Sequence, residues 1–103
     1  MDVYQALADQ NRRKIIELIA LKGELTASEI SDKFKVTPPA ISQHLKVLRE
    51  AHLVDMEKRA QMRIYTINTN SLDEIEEWAA KMKQLWGGRF DKLDKVLKEL
   101  KSK

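Results

Sequence analysis

Read as a helix, the segment Thr37–His52 carries two different faces. With Ile41 at zero on a wheel of about 100° per residue, Leu45 and Leu48 fall within about 40° of it. Pro39, Ser42, Gln43 and Lys46 fall about 100° to 200° away, on the far side. A glutamine amide can pair bidentately with adenine, a serine hydroxyl can meet several base edges, and a lysine can meet guanine or phosphate. Thr37, at the start of the helix, can meet a phosphate with help from the helix dipole. An ordinary solvated face is the competing account, and the next segment decides against it. Lys58-Arg59-Ala60-Gln61-Met62-Arg63 holds three cations in six residues. A basic stretch directly after such a helix fits phosphate or minor-groove contact by Arg59, Gln61 and Arg63. The partner these two segments imply is double-stranded DNA, with the helix in its major groove.

The remaining reactive side chains are few. His44 sits at about 300° on the same wheel, between core and outer face; a packed imidazole and a phosphate contact are both compatible with that place. His52 ends the helix, where a cation complements the C-terminal dipole. Arg12-Arg13-Lys14 opens an earlier helix; phosphate contact is open to it, and salt bridges to Asp9 or Glu17 are the plainer account. No nucleophile, base and orienting group occur together, so an enzyme is not expected. Cysteine is absent, which removes disulfides, thiolate metal sites and thiol redox chemistry. With two histidines in all, no metal site and no cofactor are expected.

The elements that must position the outer face follow from periodicity. Asp2–Ala8 stripes Val3, Tyr4 and Leu7, and Asp9-Gln10-Asn11 breaks it. Arg12–Leu21 repeats the helical spacing with Ile15, Ile16, Leu18 and Ile19, and Gly23 stands where a C-cap glycine belongs. Thr26-Ala27-Ser28-Glu29 is a capping box that opens a helix through Phe34. Thr37-Pro38 starts the next helix. Leu53–Glu57 and Arg63–Asn68 alternate as two strands of a hairpin with a basic tip. Ser71-x-x-Glu74 is a second capping box. It leads a long amphipathic segment through Leu72, Ile75, Ala79, Met82, Trp86, Phe90, Leu93, Leu97 and Leu100. The fold class is mainly α with a small β-hairpin wing: four helices, two strands and an extended C-terminal helix. The third and fourth helices form a helix-turn-helix.

The 103 residues suit one domain, 1–103, and a chain this small often gains stability from a partner subunit. The segment 71–103 is the expected dimerisation element. Its apolar stripe, with Val3, Tyr4, Leu7 and Trp78, finds no obvious cover within so small a domain, and a two-fold reader matches two half-sites. Packing back on its own domain is the competing account, and a ligand pocket at the tryptophans is a third. Gly87-Gly88 marks a kink, a close helix crossing or a break. The composition, 43% hydrophobic and 34% charged, is globular. The net charge of +3 is unevenly spread: residues 35–65 sum to +3, residues 71–77 hold four acids, and the tail from Lys81 sums to +5. The tail reads as a solvated helix face, with Asp91–Lys95 and Asp94–Lys98 at stabilising spacing. No leader follows Met1 and no run spans a bilayer, so a cytoplasmic protein without membrane association is expected.

Assembled in this way, the chain resembles the ArsR/SmtB family of winged-helix repressors. The resemblance rests on Ala6-Leu7-Ala8-Asp9 with Arg12-Arg13-Lys14-Ile15, on Gly23-Glu24-Leu25-Thr26, on the run Pro39–Ala51, and on Leu53-Val54 and Arg63-Ile64-Tyr65. The Ser42-x-His44-Leu45 run is its specific part. The tail Trp86 to Leu97 is similar to a branch with an extended last helix. The resemblance implies a homodimeric repressor on a palindromic operator, often released by an inducer, and it places Ser42, Gln43 and His44 at the DNA. Two departures matter. The family's thiolate sensors carry two cysteines just after the Gly-Glu-Leu, where this chain has Thr26 and Ser28. Other members bind zinc through histidines of the last helix, and Ser71–Lys103 has none. Metal sensing by either site is therefore not expected, and any inducer is unknown. A different class of function, a protein-interaction module or antagonist that keeps the fold, would act through the long helix instead.

Overall fold

The computed structural model of the chain describes residues 2–101, and of their side chains those of 2–87 and 100. Asp2 and Asp9 divide the first amphipathic stretch into two helices. Asp2 caps α1, Val3–Leu7, through a reciprocal pair with Gln5 at 2.8 and 3.1 Å. Asp9 caps α2, Gln10–Lys22, by accepting from the Arg12 amide at 3.1 Å. Gly23, at φ 90°, ends α2 in a conformation that costs a side-chain-bearing residue more, and its N–H closes on the Ile19 carbonyl at 2.7 Å. A short strand β1, Leu25–Thr26, comes next. The predicted capping box is present: Thr26 and Glu29 exchange two bonds of 3.1 Å at the start of α3, Ala27–Lys33. Phe34 lies just past that helix, as its C-cap.

Helix α4 is Pro38–Glu50, shorter than the span to His52. His52 adopts φ 59°. Its N–H bonds the Arg49 carbonyl and the Leu53 N–H bonds that of Leu48, both at 3.0 Å, which is the Schellman pattern with histidine in the place usually held by glycine. That reversal sends the chain into β2, Val54–Arg59, and β3, Met62–Ile67, joined by Ala60-Gln61. Only this dipeptide is turn; Lys58, Arg59 and Met62 belong to strands. The sheet is three-stranded, in the order β1-β3-β2 and antiparallel throughout, with Leu25 opposite Tyr65. The hairpin is thus extended by a strand that two residues were too few to announce.

The last helix, α5, is Thr69–Lys101 and runs unbroken through Gly87-Gly88. It does not begin at the Ser71-x-x-Glu74 box. Asn68 accepts from the Asn70 amide at 3.0 Å, ahead of Thr69, and Ser71 is buried, donating its hydroxyl to the His52 carbonyl. A serine so enclosed cannot serve as an exposed cap.

The chain falls into two compact units, Met1–Asp73 and Glu74–Lys103. The first holds α1–α4 and the sheet around one core. Ile15 and Ile19 of α2, Ile30 of α3, Ile41, Leu45 and Leu48 of α4, and Leu53 and Val54 at the entry to β2 are its largest fully buried side chains. Each contributes on the order of 1.5–3 kcal/mol of transfer free energy. The second unit is the remainder of α5.

Two consequences can be measured. The left-handed His52 is strained by its Cβ, and His52→Gly relieves more than the added unfolded-chain entropy costs. A gain of about 0.5 kcal/mol is expected in urea denaturation, and a lower midpoint would contradict it. Asp9 is held below the ordinary carboxylate value, first by the Arg12 amide, against a smaller opposing effect of burial, and then by the charges of Arg12 and His44. A depressed folded value adds stability that is complete above about pH 4 and disappears as the pH falls further. Asp9→Ala should therefore cost about 1 kcal/mol at neutral pH, and thermal melts should show the gap to wild type narrowing in acid.

Candidate nucleic-acid interface

The apolar stripe of α4 sets everything on its other side. Ile41, Leu45 and Leu48 are at most 2% exposed, and α4 packs on α2, α3 and β2. Pro39, Ser42, Gln43 and Lys46 are all exposed, as the helical wheel requires. Thr37 is also exposed. Its hydroxyl oxygen accepts from the Ala40 amide at 3.3 Å, so it is the N-cap. Pro38 and Pro39 occupy the next two positions and carry no N–H. The Ile41 amide already bonds the Thr37 carbonyl at 3.1 Å. At the N-terminus of α4 the two prolines and the Ala40 cap bond therefore leave only the Thr37 N–H without an acceptor among the described residues.

His44 is half-buried and turned inward. Its Nδ1 is enclosed and finds no hydrogen-bond partner among the described residues, and its charge reaches the Asp9 carboxylate. It thus faces the junction of α4 with the start of α2. Arg12 and Arg13 form no salt bridge to Asp9 or Glu17 among the described residues. Arg12 Nε donates to the Ala6 carbonyl at 2.7 Å and its terminal nitrogen to that of Gln5 at 3.3 Å, while Arg13 donates to Leu7 at 2.8 Å. Both guanidinium groups cap the C-terminal carbonyls of α1, where cations complement the dipole.

The hairpin tip divides its cations. Arg59 is held by two carboxylates, Glu24 at 3.2 Å and Glu57 at 3.3 Å, which raise its already high pKa, first through the hydrogen bond to Glu57 and then through that to Glu24. Gln61 is exposed in the turn, and Ala60 beside it takes φ 55°. Lys58 stands directly opposite Arg63 across the ladder, so two like charges share one face. Arg63 and Tyr65 of β3 face α4 across a groove of about 350 Å³, whose helix side is Ser42, Lys46 and Arg49 over Leu45. A second recess of about 340 Å³ lies along Lys46, Arg49 and Glu50. The structure therefore brings Ser42, Lys46 and Arg63 together. It adds Arg49, which the sequence reading left out; its position seven residues after Ser42 and three after Lys46 was the available signal.

The predicted dimer residues divide as well. Val3 is buried within the chain's own core, whereas Tyr4 is 41% exposed and Leu7 half-buried. On α5, Leu72, Trp78 and Trp86 are exposed, Ile75, Ala79 and Met82 are half-buried, and Leu85, which the sequence reading left out, is 57% exposed. Phe90 and Leu93, with the Asp91–Lys95 and Asp94–Lys98 pairs, lie outside the described side chains. No helix among the described residues is long and apolar enough to cross a membrane.

Comparison with known proteins agrees with this geometry. The family model described as "Bacterial regulatory protein, arsR family" matches residues 9–56, from the α2 cap into β2. The transcriptional repressor SdpR of Bacillus subtilis is 34% identical over 75% of this chain and 84% of its own length. The transcriptional activator HlyU of Vibrio cholerae is 33% identical over 73% of this chain and 68% of its own. Among solved structures, an ArsR family transcriptional regulator superposes with a TM-score of 0.75 at 27% identity, covering 82% of this chain and 86% of that one. With its helix-turn-helix, three-stranded wing and long last helix, the chain belongs to the ArsR family of winged-helix DNA-binding transcriptional regulators.

Proposed function

We propose that this DNA-binding regulator is a homodimeric repressor of a palindromic operator, released by something other than a metal bound to thiolates or histidines. The observation that carries the reading is the exposed set Pro39, Ser42, Gln43 and Lys46 on a helix fixed by its buried side. Gln43 and Ser42 are the base readers, the Pro39 ring offers apolar contact, and Lys46 reaches a base or a phosphate. Gln61 and Arg63 lie against the flanking backbone or minor groove. His44, turned inward, positions α4 more than it reads. The SdpR likeness supports repression, and that of HlyU makes the sign of regulation a matter for experiment.

Dimerisation is supported by the apolar side of α5, where Leu72, Trp78, Leu85 and Trp86 are exposed at helical spacing. Such a contiguous face on a small protein marks an interaction surface. The reading without metal rests on the absence of cysteine and on the use of Thr26, one of the two positions the family's sensors give to thiolates, as the N-cap of α3.

Footprinting on genomic fragments should reveal a two-fold site with half-sites about one helical turn apart. Gln43→Ala should cost about 1–3 kcal/mol there and relax the preference at one position per half-site. Zinc or arsenite should leave the complex intact, and a reporter behind the operator should fall when the protein is supplied. Binding with no preference over bulk DNA at physiological salt would refute the reading. Sedimentation should give twice the chain mass of 12.0 kDa. Leu72→Glu with Trp86→Glu should give the single mass and weaken the full palindrome more than an isolated half-site. A wild-type monomer that still protects both half-sites would argue against the dimer.

A further inference from the structure

We infer that the groove between α4 and β3 is the seat of one DNA backbone phosphodiester, held by Lys46, Arg49 and Arg63. The inference rests on the reading of this chain as a binder of duplex DNA and assigns the phosphate contact to particular residues. Three cations from two elements converge on one groove of about 350 Å³, with Leu45 and Tyr65 beneath them. Among the described residues none of the three stands in an ion pair, whereas Arg59 stands in two. Glu50 shares the neighbouring recess with Lys46 and Arg49 without, among the described residues, an ion pair to either, and Lys58 opposite Arg63 adds a further like charge on the strand side. A polyanion compensates these charges. Guanidinium groups fork onto phosphate oxygens, and two of them from opposite walls fix a phosphodiester in register.

The alternative seats are weaker on the same observations. The start of α4 has two prolines and its Ala40 amide is taken by the Thr37 hydroxyl oxygen, so the usual cluster of amides at a helix N-terminus is reduced there. Arg59, the cation nearest the turn, must first leave Glu24 and Glu57. Ser42 and Lys46 line the helix wall of the groove, so a strand bound in it passes alongside the base-reading face. Arg49 thereby becomes a positioning contact that weakens all sequences alike when lost.

The test is equilibrium binding to a random-sequence duplex over a range of salt concentrations, by fluorescence anisotropy. Wild type, Arg49→Gln, Arg63→Gln and Arg59→Gln are compared, each checked for an unchanged melting transition. Arg49→Gln and Arg63→Gln should each weaken binding several-fold and lower the slope of log K against log salt by about 1. Arg59→Gln, whose guanidinium is shared with Glu24 and Glu57, should lower the slope less than either. A duplex scanned with single neutral methylphosphonate linkages should show one linkage per half-site at which Arg49→Gln causes no further loss. Inorganic phosphate, at fixed ionic strength, should not displace the duplex; displacement at millimolar concentration would assign the groove to a free anion instead. Wild-type binding with unaltered slopes in both groove variants overturns the seat alone. Failure of the wild type to bind any duplex overturns the DNA reading and the seat with it.

Discussion

The burial of Ile41, Leu45 and Leu48 is the constraint on which the rest of the molecule depends. These three side chains fill the space among α2, α3 and β2, and they leave α4 no freedom to roll about its axis. A helix that cannot roll presents a fixed set of groups to solvent. Reading a base edge demands tolerances finer than a side chain's reach, so the base reading proposed for Gln43 and Ser42 depends on apolar contacts on the opposite side of the same helix. The Schellman turn at His52 extends this control to the wing. It ends α4 and aims β2 in a single residue, and the buried Ser71 hydroxyl ties that residue's carbonyl to the beginning of α5.

Cations are sorted by what they already hold. Arg12 and Arg13 are taken up by the carbonyls of α1, and Arg59 by two carboxylates. Lys46, Arg49 and Arg63 are not so engaged among the described residues. A count of positive charge along the sequence weighs all of these equally, yet only the last group is available to a polyanion without first breaking another contact. Net charge of +3 is therefore a poor guide to where this protein meets nucleic acid.

Much of this was legible beforehand. The helices, the reading face and the hairpin follow from period, from capping residues and from the alternation of Leu53–Glu57 with Arg63–Asn68, because each of those signals spans several residues. The misses share a physical origin. Strand β1 is two residues long and exists only by pairing with β3. The start of α5 was read from Ser71 because its spacing to Glu74 is that of a cap, while the residue is in fact drawn inward by a carbonyl 19 positions earlier. The roles of Arg12 and Arg59 depend on acceptors brought near by folding, Glu24 being 35 positions from Arg59. Arg49 was overlooked because it lies at the edge of the wheel, and only the neighbouring strand makes that edge part of a groove.

The two prolines at the start of α4 act on the unfolded chain as well. Each ring holds φ near the helical value before any hydrogen bond exists. Nucleating a helix otherwise requires several dihedrals to be fixed for a single bond. In this chain two of those angles are set by covalent structure, immediately beside the residue that caps the turn. The helix consequently enters its first turn already partly ordered, and less backbone entropy is lost there when the chain folds.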